Sequence, residues 1–384
     1  MGVYGEYLEA NLTFEGLTAE RKKQLAEISR RRGRDVLVFA ADLNKGNAPT
    51  SIDYGDLLPI NDQIENLRGT KLDLILESPG GSGEVAEDII RLLRDRYNEI
   101  AVIVPGYAKS AATIMAMAAD EILMGPASSL GPIDAQMGWQ GKVFSAHALL
   151  EGFRKIKEEV EKTGQLNKAY IPILQGISPG ELQKAENALD FARILVKRWL
   201  AKYKFKNWDI HSSTGAPVTD ADRENRADKI AERLCNHGEW LTHGRSLKID
   251  DLEGMKLRIT DFSKDANLAD PIRRYHTLLQ MTFATNIYKV FETPDSQVYR
   301  YFAIPAAPPP PGQMGDAAIL ESTCPRCATR LRIQANLGQT HPLKPGCLPF
   351  PQDNKLKCPA CSAEIDLGDT RRQLEVQTKK KIVV

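Results

Sequence analysis

This chain has almost no net charge, few cysteines and no long apolar run. Its 51 lysines and arginines face 50 aspartates and glutamates, so the formal charge of +1 points to no acidic or basic partner. A nucleic-acid role would need a local basic patch, which the total hides. Six cysteines in 384 residues are too few for a disulfide scaffold. The most apolar stretch, Ala111–Ala119, falls far short of the roughly 20 residues that a bilayer core requires. Glu6, Glu9 and Glu15 break up the N-terminus, where a secretory signal needs an unbroken apolar centre. These absences lead to the expectation of a cytoplasmic protein without a transmembrane segment. What is present, 42% hydrophobic and 26% charged residues, suits two or three globular units with proper cores.

Ala19–Arg32 reads as an amphipathic helix, with Thr18 as N-cap and Gly33 as C-cap. Asp35–Leu43, Lys71–Glu77, Ile100–Val104 and Glu121–Met124 are strand-like apolar runs. Between them, Glu84–Tyr97 repeats Val85, Ile89, Leu92 and Leu93 at helical spacing, and Ser110–Ala119 is a helix of small apolar residues. Strands alternating with helices imply βαβ crossovers and a mostly parallel sheet over Asp35–Gln136. Ala148–Lys162, Pro179–Tyr203, Asp220–Cys235 and Asp270–Val290 read as further helices, with a mixed stretch at His237–Asp261. The clearest boundary is Ala303–Gly315, whose four consecutive prolines Pro308–Pro311 favour an extended, semi-rigid linker.

Two turns carry the chemistry. Ser78-Pro79-Gly80-Gly81 follows one strand and precedes a helix, and Gly106–Ser110 does the same one unit later. A serine at a helix start sits at the positive end of the dipole, beside free N–H groups that can hold an oxyanion. Glycines let another backbone N–H face the same spot. Ser110 can thus attack a carbonyl while the N–H of Ala111 and that of Gly80 or Gly81 hold the developing charge. Such turns also bind phosphates or merely turn, and it is the pairing of the two that favours a nucleophile.

Leu74–Gly83, Val104–Ala112 and Met124–Gln136 resemble the serine dehydrogenase proteinase family, related to signal peptide peptidase A and the Clp proteolytic subunit. Trp240–Asp261 resembles the segment late in that fold where a Gly-Arg step leads through a short helix into a final strand. The resemblance covers about Asp35–Asp261. It implies an α/β fold, a ClpP/crotonase-like βαβ spiral with added helices. It also implies peptide-bond hydrolysis of polypeptide substrates, a metal-free catalytic site and a homo-oligomer. Ser110 matches the nucleophile; Gly80, with Gly81 beside it, and Ala111 match the oxyanion donors.

The general base stays open. A Clp-type Ser-His-Asp triad is not visible: near the place of the Clp histidine stands Asp134, which can orient a base, bind substrate backbone or simply cap its turn. The signal peptide peptidase branch uses a Ser-Lys dyad, and Lys168 lies near where that lysine comes. A lysine serves only if burial lowers its pKa, whereas His147 is chemically the easier base. Lys142, Lys155, Lys162 and the absence of any base are the other options. Lys109 should point away from Ser110, and His237, His243 and His276 read as structural.

Cys324-Pro325-Arg326-Cys327 and Cys358-Pro359-Ala360-Cys361 are two Cys-x-x-Cys knuckles separated by 30 residues. Four thiolates make a closed tetrahedral site, which predicts structural zinc in a ribbon; a redox dithiol would need only one pair. Cys347 or His341 could replace a ligand. Arg326, Arg330, Arg332, Lys344 and the tail Lys379–Lys381 make nucleic acid a possible partner, diluted by Asp353, Glu364, Asp366 and Asp369. The expected layout is an N-terminal helical segment (1–34), a peptidase domain (35–300), a Pro-rich linker (301–317) and the four-cysteine zinc ribbon with its basic tail (318–384). The competing functions are a crotonase-type acyl-CoA enzyme and a non-catalytic adaptor.

Overall fold

The computed structural model describes residues 2–139, 142–302 and 316–384. The proline run Pro308–Pro311 lies outside the described residues. The chain divides into two compact units, Met1–Phe302 and Ala303–Val384. Among the described residues no helix is long and apolar enough to cross a membrane.

The strands of the first unit are β1 (Asp35–Ala41), β2 (Lys71–Glu77), β3 (Glu99–Val104), β4 (Tyr107–Ala108), β5 (Glu121–Met124), β6 (Ser129–Leu130), β7 (Gln136–Trp139), β8 (Lys142–Ser145), β9 (Thr260–Asp261), β10 (Ile287–Glu292) and β11 (Gln297–Tyr301). Seven of them form one sheet in the order β11-β10-β1-β2-β3-β5-β9. β1, β2, β3, β5 and β9 run parallel, and β10 and β11 close one edge as an antiparallel hairpin.

Period-2 alternation sends side chains to two cores. Leu37, Phe39, Leu72, Leu74, Leu76, Ile100, Val102 and Val104 face the helices Gly83–Arg96, Ala111–Met117, Pro179–Trp199 and Asp220–Cys235. Val36, Val38, Ala40, Ile75, Ala101 and Ile103 face the other way, onto the helices Phe14–Arg32 and Ala266–Phe283. Both faces are covered, which is why these strands read as nearly continuous apolar runs.

The N-terminal helices belong to this unit. Arg21, at 0% exposure, donates from Nε and Nη2 to the two carboxylate oxygens of Glu292, 3.0 Å each, and Tyr275 donates to the same carboxylate at 3.0 Å. The helix starts at Phe14, ahead of the expected Ala19, because Thr13 takes the N-cap and accepts from the Gly16 N–H at 3.1 Å. The expected helix over Asp270–Val290 is instead a helix to Phe283 followed by β10.

The second unit is built on two hairpins. Ala317–Thr323 pairs antiparallel with Arg330–Leu337, and Lys355–Lys357 with Glu364–Asp366. A helix, Gly368–Thr378, follows. Each hairpin carries one Cys-x-x-Cys knuckle in its connection.

Candidate active site and cysteine cluster

β2 and β3 end at the same edge of the sheet, the carboxyl edge where open α/β folds place their sites. β2 leads into Ser78–Gly81 and β3 into Pro105–Ser110. Two backbone bonds lock these loops together: Ser78 N–H donates to Tyr107 O at 3.0 Å, and Lys109 N–H to Ser78 O at 2.9 Å. Beneath them the buried Glu77 carboxylate accepts from the Gln280 amide at 2.6 Å and meets His276 Nε2 at 2.9 Å. The helix Ala266–Phe283 therefore braces the loops from the far side of the sheet through Gln280.

The lock presses Gly80 against Ser110. A Cβ on Gly80 would lie 2.7 Å from Ser110 Cβ and 2.7 Å from Lys109 O, and its φ of +101° is glycine's. Gly81, at φ +149°, is wedged on its other side, where a Cβ would stand 2.3 Å from Ile52 N. The Gly80 N–H is taken by Ser78 Oγ at 3.1 Å. Among the described residues no acceptor takes the N–H of Gly81 or of Ala111.

Ser110 caps the helix Ala111–Met117 with φ 50° and ψ −119°. A non-glycine residue there carries strain of about 1–3 kcal/mol, and such strain gathers at functional sites. Ser110→Gly is therefore expected to raise the melting temperature by a few degrees relative to Ser110→Ala, in a calorimetric comparison of the two full-length variants. Equal melting temperatures would mean that the surrounding loops impose no strain.

Lys109 does point away. Its Nζ donates to Leu130 O (2.9 Å), Arg245 O (3.1 Å) and Ser246 Oγ (3.1 Å). Burial, helped by the neighbouring Lys248, pushes its pKa down to about 8. It ties the loop that carries Ser110 to the segment Arg245–Ser246.

The structure brings together a group that the sequence left scattered. β6 runs parallel to β4, and the Gly131 N–H donates to Thr113 Oγ1 at 3.0 Å, so the chain after β6 runs beside the segment that carries Ser110. Asp134 follows, 1% exposed. Its carboxylate meets Nδ1 of His243 at 2.6 Å and Nδ1 of His237 at 2.8 Å, and accepts from the Gln136 amide at 3.1 Å. Burial raises the Asp134 pKa, but the hydrogen bonds and charges of His243 and His237 outweigh it and hold the group below the ordinary carboxylate value. An ionised carboxylate only accepts, so both imidazoles donate Nδ1–H to Asp134. His147 lies beside His237, ring centroids 6.1 Å apart.

Lys168 opens a short 3-10 turn, Lys168–Tyr170, and is exposed. Nothing there strips water from its ammonium, which a lysine base requires. Lys155 and Lys162 are exposed on the helix Ala146–Thr163, and the Lys142 side chain lies outside the described residues. Ser110 Oγ makes no hydrogen bond among the described residues. Catalytic contacts often tighten only once substrate is present.

In the second unit the thiols of Cys324, Cys327, Cys358 and Cys361 lie within 4.8 Å of one another. Two of these approaches run between the knuckles, Cys324 to Cys361 at 3.6 Å and Cys327 to Cys358 at 3.7 Å. Both knuckles fold alike. Cys324 N–H donates to Thr329 O and Cys358 N–H to Ala363 O, and the residues after each pair, Ala328 and Ser362, share a φ of 56°. Four convergent soft donors on matched turns fit a metal ion. His341 faces Asp316 instead, and Cys347 is not in the cluster.

Comparison with known proteins bears on the first unit. Residues 7–165 match the ClpP-like SDH-type serine proteinase family. That stretch holds Gly80, Gly81, Ser110, Ala111, Asp134 and His147, while Lys168, His237 and His243 lie beyond it. Two uncharacterized proteins of Methanocaldococcus jannaschii are each 33% identical, over 150 and 134 residues, or 37% and 33% of this chain. The chain spans about half the length of these curated relatives, 49% and 46%. Among solved structures, a membrane-bound stomatin-specific protease aligns at TM-score 0.23 and 20% identity, over 36% of this chain and 64% of its own. An enoyl CoA isomerase from M. smegmatis aligns at TM-score 0.21 and 15% identity, over 53% of this chain and 92% of its own.

Proposed function

We propose that the chain is a serine endopeptidase that hydrolyses polypeptides through an acyl-enzyme on Ser110. The observation that carries this reading is the strained Ser110 packed on Gly80, with the N–H groups of Gly81 and Ala111 taken by no acceptor among the described residues. In the reaction Ser110 Oγ loses its proton to a base as it bonds to the substrate carbonyl carbon. The carbonyl oxygen gains the negative charge and takes the two free N–H groups, an interaction worth about 3–4 kcal/mol per donor in the transition state. Collapse breaks the C–N bond, and the amine leaves with the proton. Water then attacks the ester, releases the carboxylate product and restores Ser110. In this reading Gly81 and Ala111 supply the oxyanion donors, and Gly80, whose N–H serves Ser78, shapes the backbone. Polypeptide substrates and a homo-oligomer are part of the proposal and rest on the resemblance to that family.

The second unit we read as a zinc ribbon held by Cys324, Cys327, Cys358 and Cys361. The ion would supply folding energy and no catalysis, because four protein ligands leave no position for water. Lys355, Lys380 and Lys381 already pair with Glu364, Asp316 and Glu375 at 2.8, 2.8 and 3.3 Å, which favours a protein partner over nucleic acid.

A fluorophosphonate probe tests the first reading. It should form one adduct, located on Ser110 by peptide mass mapping, and Ser110→Ala should lose both the adduct and polypeptide cleavage. Undiminished cleavage by Ser110→Ala would overturn the reading.

A further inference from the structure

Resting on the acyl-enzyme reading of Ser110, we propose that His243 is its general base and that Asp134 is the residue that positions it. The arrangement would be a serine triad whose carboxylate comes from the segment just after the nucleophile and whose imidazole comes from the late Gly-Arg step. Asp134 is buried, ionised and bound to Nδ1 of His243 at 2.6 Å. That contact fixes the tautomer with the proton on Nδ1 and the lone pair on Nε2, which is the form a base for a serine hydroxyl needs.

Two imidazoles share the carboxylate, and their surroundings separate them. His237 opens the short helix His237–Trp240 and has His147 beside its ring. His243 lies on the segment that returns to the nucleophile. Two residues on, Arg245 O accepts from Lys109 Nζ, and Lys109 precedes Ser110 in the chain. Two residues further, Leu247 pairs antiparallel with Leu130, in the strand that runs beside β4. Lys109 thus acts as a strap between the loop that carries Ser110 and the loop that carries His243. Its three oxygen acceptors fix its own amino group, which leaves the imidazole as the group free to take a proton.

In the proposed step the Oγ–H proton of Ser110 passes to His243 Nε2 as the Oγ–C bond forms. Asp134 stabilises the resulting imidazolium. The same proton goes to the leaving nitrogen as the C–N bond breaks, and the cycle repeats with water. Among the described residues the titratable group in contact with His243 is Asp134, whose carboxylate also holds His237, with His147 beside the latter. Near them lie the Cys235 thiol, which burial pushes up to about 12, the Arg233–Glu239 pair that packs against Trp240, and Lys109. Asp134 is the anion in direct contact, so acidification that protonates the imidazole removes the base.

The test is the rate of fluorophosphonate labelling of Ser110 against pH in the full chain. The unaltered protein should label at a rate that falls on acidification. His243→Gln should slow labelling by about 10²–10⁴-fold and flatten that profile, the usual worth of a general base. Asp134→Asn should slow it about 10²-fold or more by allowing the wrong tautomer, and His237→Gln should stay within a few-fold. Added imidazole should restore part of the rate in His243→Gly, which a purely structural role would not allow. Should these variants fail to fold, the unaltered chain still decides: carbethoxylation of His243 by diethyl pyrocarbonate should abolish labelling in proportion. Labelling that survives full modification, or a His243→Gln variant with the normal rate and profile, overturns His243 while leaving Ser110 as nucleophile. Absence of any Ser110 adduct in the unaltered chain overturns both.

Discussion

Gly80→Ala is expected to slow acylation of Ser110 by about a hundredfold or more, although residue 80 contributes no side chain to the chemistry. The new methyl would start 2.7 Å from both Ser110 Cβ and Lys109 O. Lys109 O is backbone and cannot swing aside, so the loop must move as a whole. A displacement of about 1 Å at a reacting group is enough for a 10²-fold loss. Alanine at φ +101° also carries strain of about 1–3 kcal/mol, so the variant should unfold at lower denaturant as well. The two effects separate by measurement. Labelling of Ser110 is followed under conditions where circular dichroism shows both proteins folded, and stability is followed by urea titration. Normal labelling would mean that Gly80 does not set the position of the nucleophile. Gly81→Ala should slow acylation by another route, because its methyl would strike the Ile52 backbone and move the N–H proposed to hold the oxyanion.

The turns that carry Ser110 and its neighbouring glycines could be read from the chain because they are local. A strand, a Gly-rich turn and a helix start follow one another within a few residues, and each has its own composition. The strands Lys71–Glu77 and Glu121–Met124 and the helix Asp220–Cys235 fall where their apolar patterns place them, because buried runs bounded by turns and caps state their own ends. The N-terminal helix shows where that fails. Thr13 and Thr18 are both acceptable caps, but Thr18 uses its hydroxyl on Phe14 O and lies 3.1 Å from the Tyr299 hydroxyl. Residues 284–290 fail for another reason. Ile287 and Val290 suit a helix as well as a strand, and pairing with the exposed edge of β1, a tertiary effect, decides for the strand. The group around Asp134 was beyond reach for the same kind of reason. His237 and His243 lie 103 and 109 residues away from it, and no periodicity or spacing announces a contact made by folding. Only chemistry offered a hint: an aspartate placed just after a nucleophile turn needs partners if it is buried.

In the zinc-ribbon reading, removing the metal from the second unit should have the larger thermodynamic effect. Residues 316–384 hold a small core around Leu331, Ile333, Leu337, Phe350 and Leu374. A unit of this size gains only a few kcal/mol from its core and commonly depends on a staple. A structural zinc site contributes an apparent 10–16 kcal/mol, about three times the core's share, so the ion decides whether the unit folds. Chelation, or Cys358→Ser, should therefore make residues 316–384 readily cleaved by added trypsin while the first unit resists. Metal analysis should find one zinc per chain before treatment and none after. A thiol reagent should accordingly leave Cys324, Cys327, Cys358 and Cys361 untouched until zinc is withdrawn. A chain that binds no metal, or whose 316–384 region keeps its protease resistance after complete chelation, would show that hairpin packing alone holds the unit together.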